Sequence, residues 1–362
     1  MKKILITFSE LFYGGAEKQF RELVERIDKD KFEIVAVVSG AALAGKKSVG
    51  VDEFLARNPK VRFYFLRGMS IPKKISAKVA VSLSYRKQMK GILKKEKPDV
   101  VLVYSGVELS AASLYKKCGA KVIFSERESG DRGRLKFIRY KILFRSVDKI
   151  VCNSLAAKRF YKKHNIEAEY IPNGIEVSER IEKKLRSKHI VVPARIAKVK
   201  NQETVIDAIS MLKDQDIKVT FVGNQEDNDY LAFLKKLSKE KGVDDQVEFL
   251  PFTSNIKEIY KDADIIILPS KMEGFTNVLL ESYMFGRICL VSNIEMNKDI
   301  ANKNQRFFEP DDSKKLSELI CEVLDLDEEH LEKEIMDNYK CINENFTLDI
   351  MVNTYSKQFL QL

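Results

Sequence analysis

The sequence has no tryptophan, only three histidines and five scattered cysteines. No histidine stands beside a serine or cysteine in a nucleophile motif, so the sequence does not support a hydrolase triad. The cysteines form no closely spaced pair and have no histidine at metal-ligand spacing. The sequence therefore predicts neither a zinc site nor a disulfide framework.

Long apolar runs are also missing. None approaches the roughly 20 residues that span a bilayer, and Met1 leads almost directly into a strand-like segment without a signal-peptide pattern. We therefore expect a cytoplasmic protein. Its 362 residues exceed one typical core, and 44% hydrophobic with 32% charged residues is ordinary for a globular chain, so we expect two domains.

Strand-like and helix-like segments alternate along the whole chain. The predicted strands of the first half are 3–8, 32–38, 61–66, 99–104, 121–124 and 149–153. The pattern then restarts, with predicted strands at 189–194, 217–222, 246–250, 264–268 and 288–292. Such alternation is typical of parallel, doubly wound sheets covered by helices, so we predict an α/β fold with two Rossmann-like domains.

The turn signal Pro172-Asn173-Gly174 marks the predicted break between the domains. We place an N-terminal domain at 1–172 and a C-terminal domain at 173–345. Charge separates the two parts. Residues 1–172 carry 37 Lys and Arg against 18 Asp and Glu, whereas the remainder carries 26 against 35. The excess of positive charge therefore lies in the first domain.

The basic residues are densest at 57–97 and 132–145. In the second stretch apolar residues such as Ile138 and Ile142 recur at near-helical spacing, which predicts a basic amphipathic helix. Its apolar face either packs on the sheet of its own domain or contacts a partner. The charge of the whole domain favours the anionic inner surface of the membrane, which attracts basic residues by up to about 1 kcal/mol each.

Nucleic acid is the competing anionic partner. The sequence contains no helix-turn-helix, zinc-finger or RNP-type signature and no tryptophan to stack on bases. We therefore expect no nucleic-acid partner.

The segment 264–286 carries the strongest chemical signal. An apolar strand leads into a polar loop with Glu273, and the next helix carries Glu281. Thr276 or Asn277 can cap that helix, whose first N–H groups and positive dipole end would bind a phosphate or diphosphate. One carboxylate could hold ribose hydroxyls and the other a sugar. Two glutamates eight residues apart are also common on solvated helices, so the spacing alone leaves both interpretations open.

The neighbouring residues decide between them. The run Pro269-Ser270, Glu273-Gly274-Phe275-Thr276-Asn277 and Leu280-Glu281 resembles the signature of the retaining glycosyltransferases of family four. Their GT-B fold implies two Rossmann-like doubly wound parallel-sheet domains facing a central cleft. The resemblance also implies that 346–362 packs back on the N-terminal domain, that Glu281 holds the ribose and that Glu273 holds the sugar hydroxyls.

Other segments carry the resemblance further. Gly14 and Gly15 open the first helix and resemble the loop that approaches the donor phosphates, although a double glycine is also a common turn. Arg195 and Lys200 follow the first strand of the second domain and resemble the diphosphate-binding pair, with Lys198 as an alternative and solvated loop charge as the plain explanation. The remaining donor-binding residues implied by the resemblance are Asn173, Gly223, Gly274, Phe275, Thr276, Asn277 and Val278.

The sequence also departs from the family pattern. Ser125-Glu126-Arg127-Glu128 stands where many members have a histidine, and Glu126 would take its place. That run is similar to the subset that transfers hexose or hexosamine units in surface-polysaccharide assembly. Arg287 replaces a usual proline element, and the segment 292–299 lacks the customary Gly-Gly.

The resemblance implies a retaining transfer of a hexose or N-acetylhexosamine from a nucleotide sugar, expected to be a UDP-sugar, to a lipid-linked or saccharide acceptor. It implies no metal and no cofactor, since the nucleotide sugar is a substrate. Two alternatives stay open at this point. One is a GT-B epimerase or phosphorylase acting on soluble sugars, and the other is a nucleotide-sugar binder without catalysis.

Overall fold

The computed structural model describes residues 1–8, 15–39, 51–66, 75–104, 106–128, 134–177, 187–225, 227–253 and 255–362, with side chains for all of these except 75–81 and 134–136. The chain divides into two compact units. Unit 1 comprises Met1–Gly174 together with Leu348–Leu362, and unit 2 comprises Ile175–Thr347. The turn at Pro172-Asn173-Gly174 therefore lies at the end of the first long segment of unit 1.

In the described part of the chain, unit 1 contains a seven-stranded parallel sheet. Its strands are β1 Lys2–Phe8, β2 Phe32–Val38, β3 Arg62–Phe65, β4 Val100–Val103, β5 Lys121–Glu126, β6 Lys149–Cys152 and β7 Glu169–Tyr170. They lie in the order β3-β2-β1-β4-β5-β6-β7. The strands are apolar almost throughout because helices cover both faces of the sheet.

The helices of unit 1 that precede the boundary are α1 Gly15–Arg26, α2 Val51–Arg57, α3 Ile75–Glu96, α4 Gly106–Leu109, α5 Ala112–Lys117, α6 Arg134–Phe144 and α7 Leu155–Lys163. One core lies between the sheet and α1 with α2, around Phe20 and Phe54. The other lies under α3, α5, α6 and α7, around Tyr85 and Tyr115.

Unit 2 contains, in the described residues, a six-stranded parallel sheet in the order β10-β9-β8-β11-β12-β13. Its strands are β8 His189–Pro193, β9 Lys218–Val222, β10 Val247–Leu250, β11 Ile265–Leu268, β12 Ile288–Ser292 and β13 Arg306–Phe308. Its helices are α8 Gln202–Ser210, α9 Asn228–Lys241, α10 Ile256–Asp262, α11 Asn277–Met284, α12 Glu295–Ile300, α13 Ser313–Leu324 and α14 Glu328–Asn345. The prediction of two Rossmann-like parallel-sheet domains is confirmed.

The strand order of unit 2 reverses between β8 and β11, which are hydrogen-bonded neighbours. In open α/β sheets, ligands bind outside the carboxyl ends of the strands at such a reversal. The loops that leave β8 and β11 are the ones that carry Arg195, Lys200 and Glu273. The topology therefore places these three residues at one crevice.

The last helix, α15 Leu348–Gln361, belongs to unit 1 although the chain reaches it through unit 2. Its buried face completes the core beside α1, and Phe359 meets Phe32 edge to face at 5.8 Å between ring centroids. Tyr355 is also buried, and its hydroxyl lies 3.0 Å from Ser125 Oγ.

The apolar face of α6 differs from the sequence-based prediction. Phe137 and Tyr140 are buried against the sheet, whereas Ile138 is 50% exposed and Ile142 is 59% exposed. The apolar residues of α6 therefore lie on both sides of the helix, so the prediction of a single apolar face is wrong: the two aromatic rings face the sheet and both isoleucines are exposed. Residue 132 and the side chain of Leu135 lie outside the described part. Among the helices that the structure describes, none combines the length and hydrophobicity needed to cross a bilayer.

Candidate functional site

The loops that follow β8 and β11 are joined by an ion pair. Lys200 Nζ donates to Glu273 Oε1 at 2.6 Å, and both side chains are mostly buried, at 17% and 14% exposed. The backbones of the two loops also meet, since Lys271 N donates to Val199 O at 2.9 Å. Two residues that the sequence placed on separate loops are therefore in direct contact.

A short 3-10 turn, Lys198–Lys200, positions Lys200. Asn201 ends that turn in the left-handed region with φ of 55°, a conformation that asparagine tolerates better than most residues. Its side chain donates to Pro310 O, and Thr204 Oγ1 donates to the same carbonyl at 3.0 Å. The turn is thereby fixed to the loop that follows β13. Lys198, the alternative cation, is exposed.

Arg195 lies on the same loop and is exposed. Its carbonyl accepts a hydrogen bond from Gln202 Nε2 at 2.9 Å. Gly223 packs directly against this segment, because a Cβ at Gly223 would lie 2.8 Å from Arg195 N and closer still to the carbonyl of Ala194. Only glycine allows the two loops to approach so closely.

Arg195 also lines a polar cavity of about 540 Å³, whose described lining is Arg195, Ile196, Ala197, Asn224, Asp227, Asn228 and Asp229. Lys200 and Glu273 are not among these described lining residues. The ion pair therefore does not belong to the described lining of this cavity, whereas Arg195, on the same loop as Lys200, does.

Thr276 occupies the predicted N-cap position of α11 but does not cap the helix with its side chain. The helix begins at Asn277, and within the described chain Thr276 makes no side-chain capping bond. The Thr276 hydroxyl donates to Oδ1 of the buried Asn297 at 2.6 Å. Asn277 is the first helical residue, so it shares a face with Glu281 one turn later, as predicted, and both side chains are partly exposed.

Three further predicted donor residues surround the start of α11. The side chains of Phe275 and Val278 pack against the apolar core of unit 2 and are partly buried there. Gly274 lies in a bend between Glu273 and Phe275 and is partly exposed.

Glu126, which the resemblance placed at the position of a family histidine, is fully buried at the end of β5. Its Oε1 accepts hydrogen bonds from the backbone N–H groups of Arg127 and Glu128, at 3.0 and 2.9 Å. Its Oε2 accepts from the Tyr161 hydroxyl at 2.7 Å. The carboxylate therefore fixes the turn that follows β5.

Asn173 is also held inside unit 1. Its Oδ1 accepts from the Arg127 guanidinium at 2.8 Å, and the same guanidinium donates to the Tyr355 hydroxyl at 2.9 Å and lies over the Tyr104 ring. Arg127 was not singled out from the sequence, because nothing in its spacing distinguishes it from other basic residues. Gly15 begins α1, and Gly14 lies outside the described residues.

No group of three or more His, Cys, Asp or Glu side chains among the described residues is placed to hold a metal ion.

The comparison with known families covers both units. Residues 13–179 match the family model described as Glycosyltransferase Family 4, and residues 175–339 match the model described as Glycosyl transferases group 1. The chain is a glycosyltransferase with a family-four domain and a group 1 domain. This assignment agrees with the motif resemblance in the second unit and extends it to the first.

Similar proteins come from bacterial surface-glycan systems. The glycosyltransferase is 24% identical over 330 residues to the capsular polysaccharide biosynthesis glycosyltransferase CapH of Staphylococcus aureus, which covers 85% of both chains. It is 24% identical over 355 residues, 94% of this chain and 93% of the relative, to a Campylobacter jejuni enzyme named as an alpha-1,4-N-acetyl-D-galactosaminyltransferase acting on a diNAcBac-PP-undecaprenol-linked glycan.

Among solved structures, HepE of Anabaena in complex with UDP and glucose superposes with a TM-score of 0.80 at 14% identity, over 100% of both chains. At that identity the likeness shows the fold of the glycosyltransferase, which is GT-B.

Proposed function

We propose that this glycosyltransferase moves a hexose or N-acetylhexosamine from a UDP-sugar to a lipid-linked or saccharide acceptor in the synthesis of cell-surface polysaccharide, with retention at the anomeric carbon. The names of CapH and of the Campylobacter enzyme support the pathway and the lipid-linked acceptor. The complex of HepE with UDP and glucose supports the donor nucleotide.

The contact between Lys200 and Glu273 carries the proposal. Breaking the bond between a sugar and a diphosphate leaves negative charge on the departing phosphate, and preorganised cations stabilise that charge most effectively where water is excluded. Lys200 is already mostly buried, and Glu273 holds its ammonium group at 2.6 Å. The ion pair thus offers a cation to the phosphate and a carboxylate to the sugar hydroxyls from one point of the crevice.

The remaining roles follow from position. Arg195 stands on the same loop as Lys200 and would neutralise the second phosphate. Glu281, one turn into α11, would accept hydrogen bonds from the ribose hydroxyls, while the start of the helix adds its positive dipole end. In this scheme the acceptor attacks from the face of the departing phosphate, which takes the acceptor proton, so no nucleophile from the enzyme is needed.

The decisive experiment measures UDP release from a panel of UDP-hexoses and UDP-N-acetylhexosamines by wild type and Glu273→Gln, in the presence of a polyprenyl-diphosphate-linked saccharide that accepts the sugar. We expect release by wild type and a loss of at least about 100-fold in the variant, because the sugar and Lys200 both lose their partner. A folded Glu273→Gln with full activity would refute the assignment. A wild type that binds a UDP-sugar and never releases UDP would support a non-catalytic binder, and the anomeric configuration of the product decides retention.

We further propose that unit 1 docks on anionic membrane through α6. Ile138 and Ile142 are exposed beside the exposed cations Lys141 and Arg145, and these four residues line a cavity of about 540 Å³ together with residues that include His164. Exposed aliphatic side chains surrounded by cations are typical of surfaces that lie in the lipid headgroup region. A lipid-linked acceptor would be met at that surface.

A further inference from the structure

A chain of buried hydrogen bonds runs beneath the loop that carries Glu273. Ser292 Oγ, at the end of β12, donates to Ser270 O at 2.6 Å, where the loop begins. Asn297 in α12 donates from Nδ2 to Ser292 O at 2.9 Å and to Ser292 Oγ at 3.3 Å. Thr276 Oγ1, where the loop ends, donates to Asn297 Oδ1 at 2.6 Å.

These four residues are almost completely inaccessible. Asn297 and Ser292 are fully buried, and Ser270 and Thr276 are 2% and 3% exposed. A hydrogen bond inside a protein is electrostatically stronger than one in water, and a missing partner there costs more. The network therefore rigidifies the residues that take part in it.

The donors and acceptors allow one arrangement of the Asn297 amide. The Ser292 hydroxyl donates its proton to Ser270 O, so Ser292 Oγ can only accept a hydrogen bond from Asn297. The carbonyl oxygen of Ser292 is likewise an acceptor from Asn297. Both neighbours on the Nδ2 side are acceptors and the neighbour on the Oδ1 side is a donor. A side chain with two acceptors, or with none, cannot satisfy all of them.

We propose that Asn297 is a positioning residue for the donor site, holding both ends of the loop 270–276 through a single amide. This proposal rests on the proposed function for its consequence in binding, since the loop presents Glu273 and leads into α11. Asn297 contacts neither Lys200 nor Glu273 in the described contacts and acts only through Ser292 and Thr276. A displacement of about 1 Å at such a site can cost about 100-fold in rate.

The first test does not depend on any ligand. Hydrogen exchange of wild type, Asn297→Ala and a matched control is followed by mass spectrometry in the peptide that spans 270–278. The control is Asn58→Ala, which removes another buried asparagine, one that donates to Phe54 O at 2.8 Å in unit 1. We expect exchange to rise about 10-fold or more in that peptide for Asn297→Ala alone. Unchanged exchange overturns the proposal.

The second test uses UDP as the probe and measures its Kd by calorimetry, well below the melting temperature. We expect Asn297→Ala to raise the Kd about 10-fold, while Asn58→Ala leaves it within about twofold. A role in stability alone would lower the fraction of active protein without changing the Kd. Faster exchange combined with an unchanged Kd would therefore overturn the positioning role.

Asn297→Asp supplies a rescue. When protonated, the introduced carboxyl can donate to Ser292 O and accept from Thr276, as the amide does. When ionised, it faces acceptors with a buried charge. We expect UDP affinity relative to wild type to recover as the pH falls from 8 to 5.5, and a ratio independent of pH would contradict the proposal. Wild type that binds no UDP would refute the proposed donor, and the exchange test would still decide the role of Asn297.

Discussion

At the scale of single residues, we expect the charge of Lys200 to matter for catalysis. Lys200→Met keeps most of the side-chain volume and removes the ammonium group that contacts Glu273. We expect kcat for UDP-sugar turnover to fall by about 100- to 1,000-fold, which is the usual effect of removing one group that stabilises developing charge. Steady-state assays of UDP release measure it.

The matched control is Lys213→Met, which removes an exposed cation from another loop of unit 2. Turnover by this variant should stay within about twofold of wild type, because exposed charges away from the site have small effects. If turnover fell equally in the two variants, the assay would be responding to the net charge of the protein. Lys200 would then have no specific role in catalysis.

Two glycines give opposite predictions for the same substitution. Gly223→Ala places a methyl group against the backbone of Arg195 and Ala194, so it should lower the unfolding free energy by about 1–3 kcal/mol and weaken donor binding. Gly91 lies inside α3, where a Cβ would meet no described atom within 4 Å outside its own helix, so Gly91→Ala should raise the unfolding free energy by about 0.5–1 kcal/mol. Urea denaturation compares the two, and a stabilising Gly223→Ala would contradict the close approach.

The sequence predicts some of these residues better than others, for a physical reason. Lys200 and Glu273 were predictable because each follows a strand and parallel strands bring such loops to one edge. Asn297 could not be predicted from the sequence, because its role depends on three side-chain hydrogen bonds to Thr276 and Ser292 that only the folded structure brings together. In the sequence it is one asparagine among many. The buried state of Glu126 was hidden for the same reason, since its partner Tyr161 is distant in sequence.

At the scale of elements, the Arg287 side chain caps the C-terminal end of α10. This buried arginine donates to the carbonyls of Tyr260 at 2.6 Å and Lys261 at 3.0 Å, which belong to the last turn of the helix. Its positive charge also interacts favourably with the negative end of the helix dipole. Arg287→Leu should lower the unfolding free energy by about 3 kcal/mol, because those carbonyls lose a charged donor. Thermal and urea unfolding measure this loss.

Lys261→Ala is the companion variant. The Lys261 side chain is exposed and pairs only loosely with Glu258, at 3.8 Å. Its removal should change stability by no more than about 0.5 kcal/mol. If Arg287→Leu changed the unfolding free energy as little as Lys261→Ala, the last carbonyls of α10 would not depend on the guanidinium. The arginine in place of the family proline would then have no structural explanation.

Helix α6 gives the prediction for membrane docking. Ile142→Asp replaces an exposed isoleucine by a carboxylate within the cationic surface, and we expect about 10-fold weaker binding to phosphatidylglycerol vesicles from the lost apolar burial and the added repulsion. The control is Leu360→Asp, a comparable exposed side chain on α15 of the same unit. Vesicle sedimentation in which both variants bind like wild type would exclude α6 as the docking surface.

Strand prediction succeeded where the apolar run is long and failed where it is short. The runs at β1, β2, β11 and β12 are buried on both faces and read as strands from composition alone. β13 has three residues, and Arg306 at its start is held by ion pairs to Glu322 and Glu334 on two helices. Those contacts are tertiary, so no local pattern in the sequence announces that strand.

At the scale of the whole molecule, the uneven charge predicts a strong effect of salt. The segment 1–172 carries 37 basic against 18 acidic residues, while the remainder is acidic. Screening shortens electrostatic reach from about 10 Å at 0.1 M to about 3 Å at 1 M salt. Binding to anionic vesicles should therefore weaken at least about 10-fold over that range, and neutral vesicles should bind weakly throughout. Binding to anionic vesicles that is insensitive to salt would contradict an electrostatic partner for unit 1.

The path of the chain also sets an order of assembly on the ribosome. Residues 348–362 complete the core of unit 1, yet they are translated after the whole of unit 2. While Ile175–Thr347 is being synthesised, the nascent unit 1 therefore lacks α15 and has an open groove beside Phe32 and Phe20. Unit 1 is synthesised first, but its core is completed only after unit 2 has been made. Ribosomes that stall anywhere before Leu348 would release an N-terminal half with that apolar groove still exposed to chaperones and proteases.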